Sequence, residues 1–205
     1  MSDLVTRLFV AAPWLAGLLW LVLHGADFAL TLKGARLRAE LFARTGTVEQ
    51  GPYELNPMFR ADVAKLRPFP PRFVATWVGG ALAWPLLLRA VRFLLGGGPL
   101  DETTAWLLGA MLGALVFTRV AIIGRHLRNL YLFDRMLRPR DGGPPRAPVQ
   151  LDLKTNLFAS AIALAEGAVL LGVAAALSWD AWATGGAVAL ALVAVKHAAL
   201  AHGTR

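Results

Sequence analysis

The chain has 205 residues, of which 57% are hydrophobic and only 17% are charged, and it contains no cysteine. This composition lies outside the usual range of soluble domains and indicates a polytopic membrane protein. The lack of cysteine excludes a disulfide framework, a thiolate metal site and a cysteine nucleophile. The net charge of +8 would suit nucleic acid, but the basic residues lie between long apolar runs. That distribution is typical of membrane topology, so the predicted partner is the lipid bilayer and not nucleic acid.

A helix needs about 20 mostly apolar residues to cross the hydrocarbon core of a membrane. The apolar run at the N-terminus has no small-residue cleavage site after it, so we interpret it as an uncleaved span. The sequence predicts an all-α fold, an integral membrane bundle of five transmembrane helices that forms a single domain over residues 1–205. The predicted spans are 8–32, 73–95, 104–125, 156–178 and 181–202.

The basic residues predict the orientation of these spans. Residues 33–72 contain eight lysines and arginines and residues 125–155 contain seven, whereas the connection 96–103 contains none. The positive-inside rule then places both long loops in the cytoplasm, the N-terminus outside and the C-terminus inside. In the first cytoplasmic loop, Asn56 is a good N-cap and Pro57 suits the first helical position, which predicts a short amphipathic helix over residues 57–66.

Polar residues occupy one face near the end of the first span. His24, Asp27 and Thr31 are spaced i, i+3 and i+7 and therefore share a helix face. Counting back from Lys33 at about 1.5 Å per residue places Asp27 about 9 Å inside the cytoplasmic boundary. An ionised aspartate at that depth costs about 2 to 3 kcal/mol unless it finds a partner. The structural interpretation is that an arginine of a neighbouring helix, or the positive start of the helix at Pro57, pairs with it.

The third span carries a second polar face. Arg119, His126 and Asn129 are separated by seven and then three residues, so they also share one side of a helix. Arg119 lies about 9 Å from the cytoplasmic end of its span, and Glu166 in the fourth span lies about 15 Å deep. Because an unpaired charge is expensive at that depth, we predict that Arg119 and Glu166 form a structural ion pair.

The polar groups cluster by depth at or just below the cytoplasmic face, where all four histidines of the chain also fall. A site, if present, is therefore expected to open to the cytoplasm. The candidate substrate or ion site consists of His24, Asp27, Thr31, Glu54, Asn56, His126 and Asn129.

Several chemistries are compatible with these residues, and the sequence does not identify catalytic residues. Nitrogen and oxygen ligands from His24, Asp27, Glu54 and His126 would suit a divalent metal, although no strict metal-binding motif is present. Proton-coupled transport could use Asp27 and Glu166 as carriers. A membrane enzyme could use His24 or His126 as a general base, with the basic loops holding the phosphate of a lipid or isoprenoid substrate. Haem ligation by two histidines is supported only by the number of histidines in the chain.

Gly109 and Gly113, spaced four residues apart in GAMLG, indicate close helix packing. The partner helix can belong to the same chain or to a second copy. A homo-oligomer or a larger membrane complex is therefore compatible with the sequence.

The segments DFALT, which contains Asp27 and Thr31, and ELNP, which contains Glu54 and Asn56, resemble a pattern in known proteins. Small multi-pass prokaryotic membrane proteins of uncharacterised function carry DxxxT at the end of one span and ExNP before the next. The resemblance implies only that these four polar residues act as a set. The predicted location is a prokaryotic cytoplasmic (inner) membrane. The leading hypothesis is a small transporter or channel-like protein for a cation or a small polar solute. The alternatives are a membrane enzyme acting on a lipid and a structural subunit.

Overall fold

A computed structural model describes residues 4–45, 58–138, 153–178 and 180–203 of the chain. These residues form helices without any strand, which confirms the all-α prediction for the described part. Five of the helices, α2, α4, α5, α6 and α7, are long and apolar enough to cross a membrane, as in a multi-pass membrane protein. In chain order the helices are α1 (Leu4–Ala11), α2 (Trp14–Thr45), α3 (Arg60–Ala64), α4 (Pro71–Leu94), α5 (Glu102–Leu137), α6 (Leu153–Ser178) and α7 (Ala181–Gly203).

The order of the long helices in space differs from their order in the chain. α4 packs on α2, α2 on α5, α5 on α7 and α7 on α6. The short α1 packs against α5 and α2. α5 therefore occupies the centre of the bundle, and α2 and α7 flank it.

The helices that contain the first predicted span, 8–32, differ from it at both ends. Pro13 separates α1 from α2, because proline lacks the backbone N–H that a continuous helix would need there. α2 then continues to Thr45, well into the segment predicted as a loop. α5 likewise runs past the predicted end of its span to Leu137. Hydropathy predicts only the apolar part of each helix. The helical hydrogen bonds of the backbone continue through the charged turns that follow.

The connection between α4 and α5 is a tight turn with identifiable signals. Gly96 and Gly97 have φ angles of 74° and 79°, which glycine adopts without steric cost. Asp101 then caps α5, since its Oδ1 accepts a hydrogen bond from the backbone N–H of Thr104 at 2.9 Å. The hydroxyl of Thr104 donates a second bond to this carboxylate, and these bonds lower the pKa of Asp101.

The short helix α3 lies within the segment 57–66 predicted as helical. Phe59 and Val63 bury their side chains in a cluster with Phe28 and Phe73, and this cluster anchors α3 against α2 and α4. Arg60 is exposed. The predicted cap Asn56 and the predicted first residue Pro57 lie outside the described residues.

Glycines allow α5 and α7 to approach closely. A side chain at Gly113 would clash with the backbone of Trp182, and one at Gly185 would clash with the carbonyl group of Ala110. Gly113, one of the two glycines in GAMLG, thus serves packing within the chain. The close approach fixes the position of α5 relative to α7.

Candidate functional site

Asp27 is a buried carboxylate that receives hydrogen bonds from two side chains of α5. Nη1 of Arg119 donates to Oδ2 of Asp27 at 2.7 Å. Nε2 of His126 lies 3.2 Å from the other oxygen, Oδ1. Each carboxylate oxygen therefore has its own partner, and the contacts join α2 to α5 near the centre of the bundle.

The predicted ion pair between Arg119 and Glu166 is wrong. Arg119 binds Asp27 instead, which confirms the structural interpretation that an arginine of a neighbouring helix neutralises that aspartate. Glu166 is exposed on α6, and α6 packs on α7 at the edge of the bundle. The prediction ranked residues by depth in the membrane, and depth does not say which helices are neighbours.

The hydrogen bonds around Thr31 determine which nitrogen of His126 carries a proton. The single hydroxyl proton of Thr31 is donated to the backbone carbonyl of Asp27, at 2.9 Å. The hydroxyl oxygen must then accept the hydrogen bond from Nε2 of His126, at 3.1 Å. Nε2 of His126 is therefore protonated and shares its hydrogen between Asp27 and Thr31.

His24 lies in an aromatic environment one turn before Asp27. Its ring stacks on Trp20 and on Phe73, with centroid distances of 4.8 and 5.3 Å. Its Nε2 lies 3.3 Å from the hydroxyl of Thr76, whose own proton is directed to backbone carbonyls of α4. Nε2 is therefore the donor, and Nδ1 is left as an acceptor that has no hydrogen-bond partner among the described residues.

Tryptophan side chains hold α2 and α4 together behind this site. The indole N–H of Trp20 donates to the carbonyl of Trp77 at 3.1 Å, and the indole N–H of Trp77 donates to the carbonyl of Leu21 at 2.7 Å. The guanidinium of Arg119 lies 4.9 Å from the Trp20 ring centroid, within cation–π range. Arg119 is thus held by both a carboxylate and an aromatic ring.

A cavity of about 620 Å³ opens beside these residues, and its described lining comes from α2, α5, α6 and α7 together with Phe59. This volume lies in the range of small-molecule sites. One part of the wall contains the polar group just described. Its members are His24, Asp27, Thr31, Arg119 and His126.

The other part of the wall contains a second polar pair. Nδ1 of His197 on α7 lies 3.0 Å from the hydroxyl of Ser160 on α6, and both residues are buried. Arg125 and Lys196 lie close enough to His197 to interact with it electrostatically. Ser160 was not among the predicted site residues, because an isolated serine in an apolar helix carries no motif. The only available signal was the placement of His197 on the cytoplasmic side.

The structure brings together four of the seven predicted site residues. His24, Asp27, Thr31 and His126 all line the cavity, whereas Asn129 is not part of its described lining. Glu54 and Asn56 lie outside the described residues. Helix periodicity therefore predicted part of the group of residues that line the cavity.

The described residues contain no group of three or more histidine, aspartate or glutamate side chains that could hold a metal ion. Of the predicted ligands His24, Asp27, Glu54 and His126, the structure directs His24 to Thr76 and commits Asp27 to Arg119 and His126. Glu54 lies outside the described residues. A metal site involving Glu54 stays a prediction.

Comparison with known proteins gave no match, whether against protein-family models, curated proteins or solved structures. The resemblance carried by DFALT and ELNP stays a prediction. Within DFALT, Thr31 and Asp27 do meet, through the Thr31 hydroxyl and through their shared contact with His126.

Proposed function

We propose that this protein is a small transporter or channel-like protein of a prokaryotic cytoplasmic membrane, and that a small polar solute binds in the cavity between α2, α5, α6 and α7. The observation that carries the proposal is the Asp27–Arg119 ion pair on the wall of this cavity. Ionisable groups within transmembrane helices are expensive, and they characteristically mark solute pathways.

The ion pair couples solute binding to helix packing. A polar solute that competes for Asp27 or Arg119 would weaken the contact between α2 and α5. The solute would then bind with different affinities to the arrangement in which the ion pair joins α2 to α5 and to the arrangement in which it is broken. Such a difference in affinity couples solute binding to a conformational change. The Nε2–H of His126 is placed to compensate Asp27 when Arg119 turns away.

The distribution of basic residues supports a cavity that faces the cytoplasm. Both basic loops follow the ends of α2 and α5 that carry Thr31 and His126. The positive-inside rule assigns those ends to the cytoplasmic side. In this orientation α3 lies at the cytoplasmic surface, within the segment 57–66 predicted as an amphipathic helix.

The charges of the cavity favour a neutral or anionic solute over a cation. Among the described lining residues, four cationic side chains face one carboxylate, that of Asp27. A free cation would be repelled by this excess unless further carboxylates joined the site. The four cationic residues are Arg119, Arg125, Arg128 and Lys196.

Solute flux in proteoliposomes tests the proposal. Vesicles containing the full chain are mixed with isosmotic glycerol, acetate, phosphate or potassium chloride, and light scattering reports the swelling rate for each solute. We expect the protein to accelerate swelling for at least one uncharged or anionic solute, and Asp27→Asn to remove most of that acceleration. Asp62→Asn, which alters an exposed ion pair with Arg67 outside the cavity, is the matched control and should behave like the native chain.

Flux no faster than in protein-free vesicles for every solute would overturn the transport proposal. An Asp27→Asn variant with native flux would remove the ion pair from the mechanism. Circular dichroism and gel filtration of each variant separate a loss of transport from a loss of folding.

The pairing of Ser160 and His197 favours one second candidate function, a membrane enzyme that hydrolyses a lipid ester. If the Ser160 hydroxyl donates to Nδ1 of His197, the imidazole can take its proton as Oγ attacks the ester carbonyl. The ester C–O bond then breaks, the proton passes to the leaving alcohol, and water hydrolyses the acyl-serine. Labelling of the native chain by a fluorophosphonate probe, lost in Ser160→Ala but retained in Ser178→Ala, would support this function. No labelling of the native chain would exclude it.

A further inference from the structure

His24 has one polar atom that no contact described above uses. Its side chain is buried, with the residue only 4% exposed, and Nδ1 has no hydrogen-bond partner among the described residues. Buried acceptors are nearly always satisfied, because an unpaired one forfeits the hydrogen bond that water would supply. His24 lines the cavity, so a molecule in the cavity can supply the missing donor.

The contacts of the imidazole determine which of its edges is left for the cavity. Trp20 and Phe73 stack on the ring, and the hydroxyl of Thr76 lies 3.3 Å from Nε2. Phe73 and Thr76 belong to α4, which does not contribute to the described lining of the cavity. In an imidazole ring the edge opposite Nε2 is the Cγ–Nδ1 bond, and Cγ is joined to the backbone through Cβ. The ring edge left for the cavity is therefore the one that carries Nδ1.

The hydrogen bond to Thr76 makes Nδ1 an acceptor. The Thr76 hydroxyl directs its own proton to the backbone carbonyls of Arg72 and Phe73, at 3.1 and 3.0 Å, so it accepts the proton of Nε2. A neutral imidazole carries one ring proton, and Nδ1 then presents a lone pair. Its ligand must therefore supply an O–H or N–H group. An anion without such a group, for example acetate, cannot make this hydrogen bond.

The neighbouring residues favour an uncharged ligand. Asp27 already accepts hydrogen bonds from Arg119 and His126, so a cationic donor meets a carboxylate that is already neutralised. The guanidinium of Arg119 has further N–H groups besides the one donated to Asp27, and these can bond the oxygen of a solute. Phe28 and Phe59 add apolar surface to the cavity wall. A hydroxyl group on a carbon frame suits this combination, because it donates and accepts at one atom.

We propose that His24 is the recognition residue of the cavity, and that its Nδ1 accepts a hydrogen bond from a hydroxyl group of an uncharged, polyol-like solute. The inference rests on the proposed function, since it names the class of solute for the same cavity. Nδ1 is shielded from water, so the solute satisfies an acceptor that solvent does not reach. A solute with the same carbon frame but without a donor would bind less well.

Nitrogen NMR of the histidine-labelled full chain in nanodiscs measures the interaction at Nδ1 itself. The signals of His24 are assigned by their absence from the His24→Phe variant, whose ring can still stack on Trp20. The probes are glycerol, its trimethyl ether, acetamide, acetate and methylammonium. We expect molar glycerol to shift the Nδ1 signal of His24 towards that of a hydrogen-bonded nitrogen, and the ether, which has no donor, to leave it unchanged. His202, exposed on α7 outside the described lining, is the internal control for general effects of the solvent.

Thr76→Val tests how the proton of His24 is positioned. Valine removes the acceptor at Nε2, so the proton can move to Nδ1 and only a fraction of the molecules then present a lone pair there. If that fraction is about one half, the glycerol concentration that gives half of the full shift should rise about twofold. Thr76→Ser keeps the acceptor and should respond like the native chain. Thr118→Val, which removes a hydroxyl bonded only within α5, is the matched control.

The outcomes separate this inference from the transport proposal. A Nδ1 signal that glycerol does not shift, or that the ether, acetate or methylammonium shifts equally, overturns the inference. A response to acetamide but not to glycerol would replace the hydroxyl by an amide and would also overturn it. Glycerol binding at His24 without faster swelling of proteoliposomes would support the binding site and refute transport. Faster swelling without a shift of the Nδ1 signal would support transport and refute the role of His24.

Discussion

Arg119 on α5 donates a hydrogen bond to Asp27 on α2 across 2.7 Å, although the two residues are 92 positions apart in the chain. The side chain of Arg119 is 25% exposed and that of Asp27 is 12% exposed, so neither is fully solvated. Removing one partner would leave the other charge without its counter-ion in a low-dielectric surrounding. The pair therefore has a measurable role in helix packing, whatever solute the cavity binds.

Arg119→Gln is expected to lower the free energy of unfolding by about 1 to 3 kcal/mol, less than for a fully buried pair because water still reaches both groups. Asp27→Asn should have a similar effect, and the double variant should be more stable than the sum of the single effects predicts. Unfolding by sodium dodecyl sulfate, followed by circular dichroism, measures all three. Asp134→Asn, which breaks an exposed pair with Arg138, is the control and should change stability by less than about 0.5 kcal/mol. Strict additivity of the two single variants would contradict the interpretation.

The hydrogen bonds of His126 predict a specific tautomer. Because Nε2 donates to Asp27 and Thr31, nitrogen NMR of the labelled histidines should show a proton on Nε2 of His126. His126→Gln retains an N–H donor, whereas His126→Leu leaves an oxygen of Asp27 unsatisfied. We expect the leucine variant to be the less stable of the two by about 1 to 3 kcal/mol. A neutral imidazole protonated only on Nδ1 would refute the assignment.

The close contact between α5 and α7 predicts opposite behaviour for two glycines. Gly185→Ala introduces a methyl group against the Ala110 carbonyl and should destabilise the bundle by about 1 to 3 kcal/mol. Gly79 on α4 has no neighbouring atom near the position of a Cβ, so Gly79→Ala should leave stability unchanged or raise it slightly. Thermal unfolding in detergent compares the two variants. If both variants unfolded at the same temperature as the native chain, α5 and α7 would not approach this closely.

The N-cap of α5 predicts a pH-dependent stability. Hydrogen bonds from Thr104 lower the pKa of Asp101 in the folded chain. Its contribution is therefore fully present above the pKa of an unfolded aspartate, and it is lost as the pH falls through the lower folded-state pKa. Asp101→Ala should lower the unfolding midpoint at neutral pH, and the difference from the native chain should shrink in acid. Asp101→Asn keeps a capping oxygen that does not titrate, so it should lower the midpoint little at neutral pH. If Asp101→Ala lowered the unfolding midpoint equally at every pH, the cap would not depend on the ionised carboxylate of Asp101.

Helix periodicity predicted the shared face of the first polar group but not its contacts. The spacing of His24, Asp27 and Thr31 requires that they lie on one side of α2, and the structure places all three on the cavity wall. The pairing of Arg119 depends on which helices are neighbours, and a single sequence carries no signal for that. Glu166 has a charge opposite to that of Arg119 and was predicted at an approximately similar depth. It nevertheless lies on a helix at the edge of the bundle.

The cationic residues of the cavity wall show a second limit of prediction from the sequence. Arg125, Arg128 and Lys196 contributed to the positive-inside pattern, which explains basic residues without assigning them a ligand. Only the packing of α5 against α7 shows that these charges line a cavity. The same residues therefore carry a topology signal and line a cavity.

The packing order of the helices has a mechanical consequence. Helices α1 to α4 form one group and helices α5 to α7 form another, and the principal contact between the groups is that of α1 and α2 with α5. The ion pair of Asp27 with Arg119 and the hydrogen bond of Thr31 with His126 both cross that contact. Rotation of one group against the other would open the cavity only after these bonds separate. The polar residues first noted within an apolar helix would then hold the two groups of helices together until these bonds break.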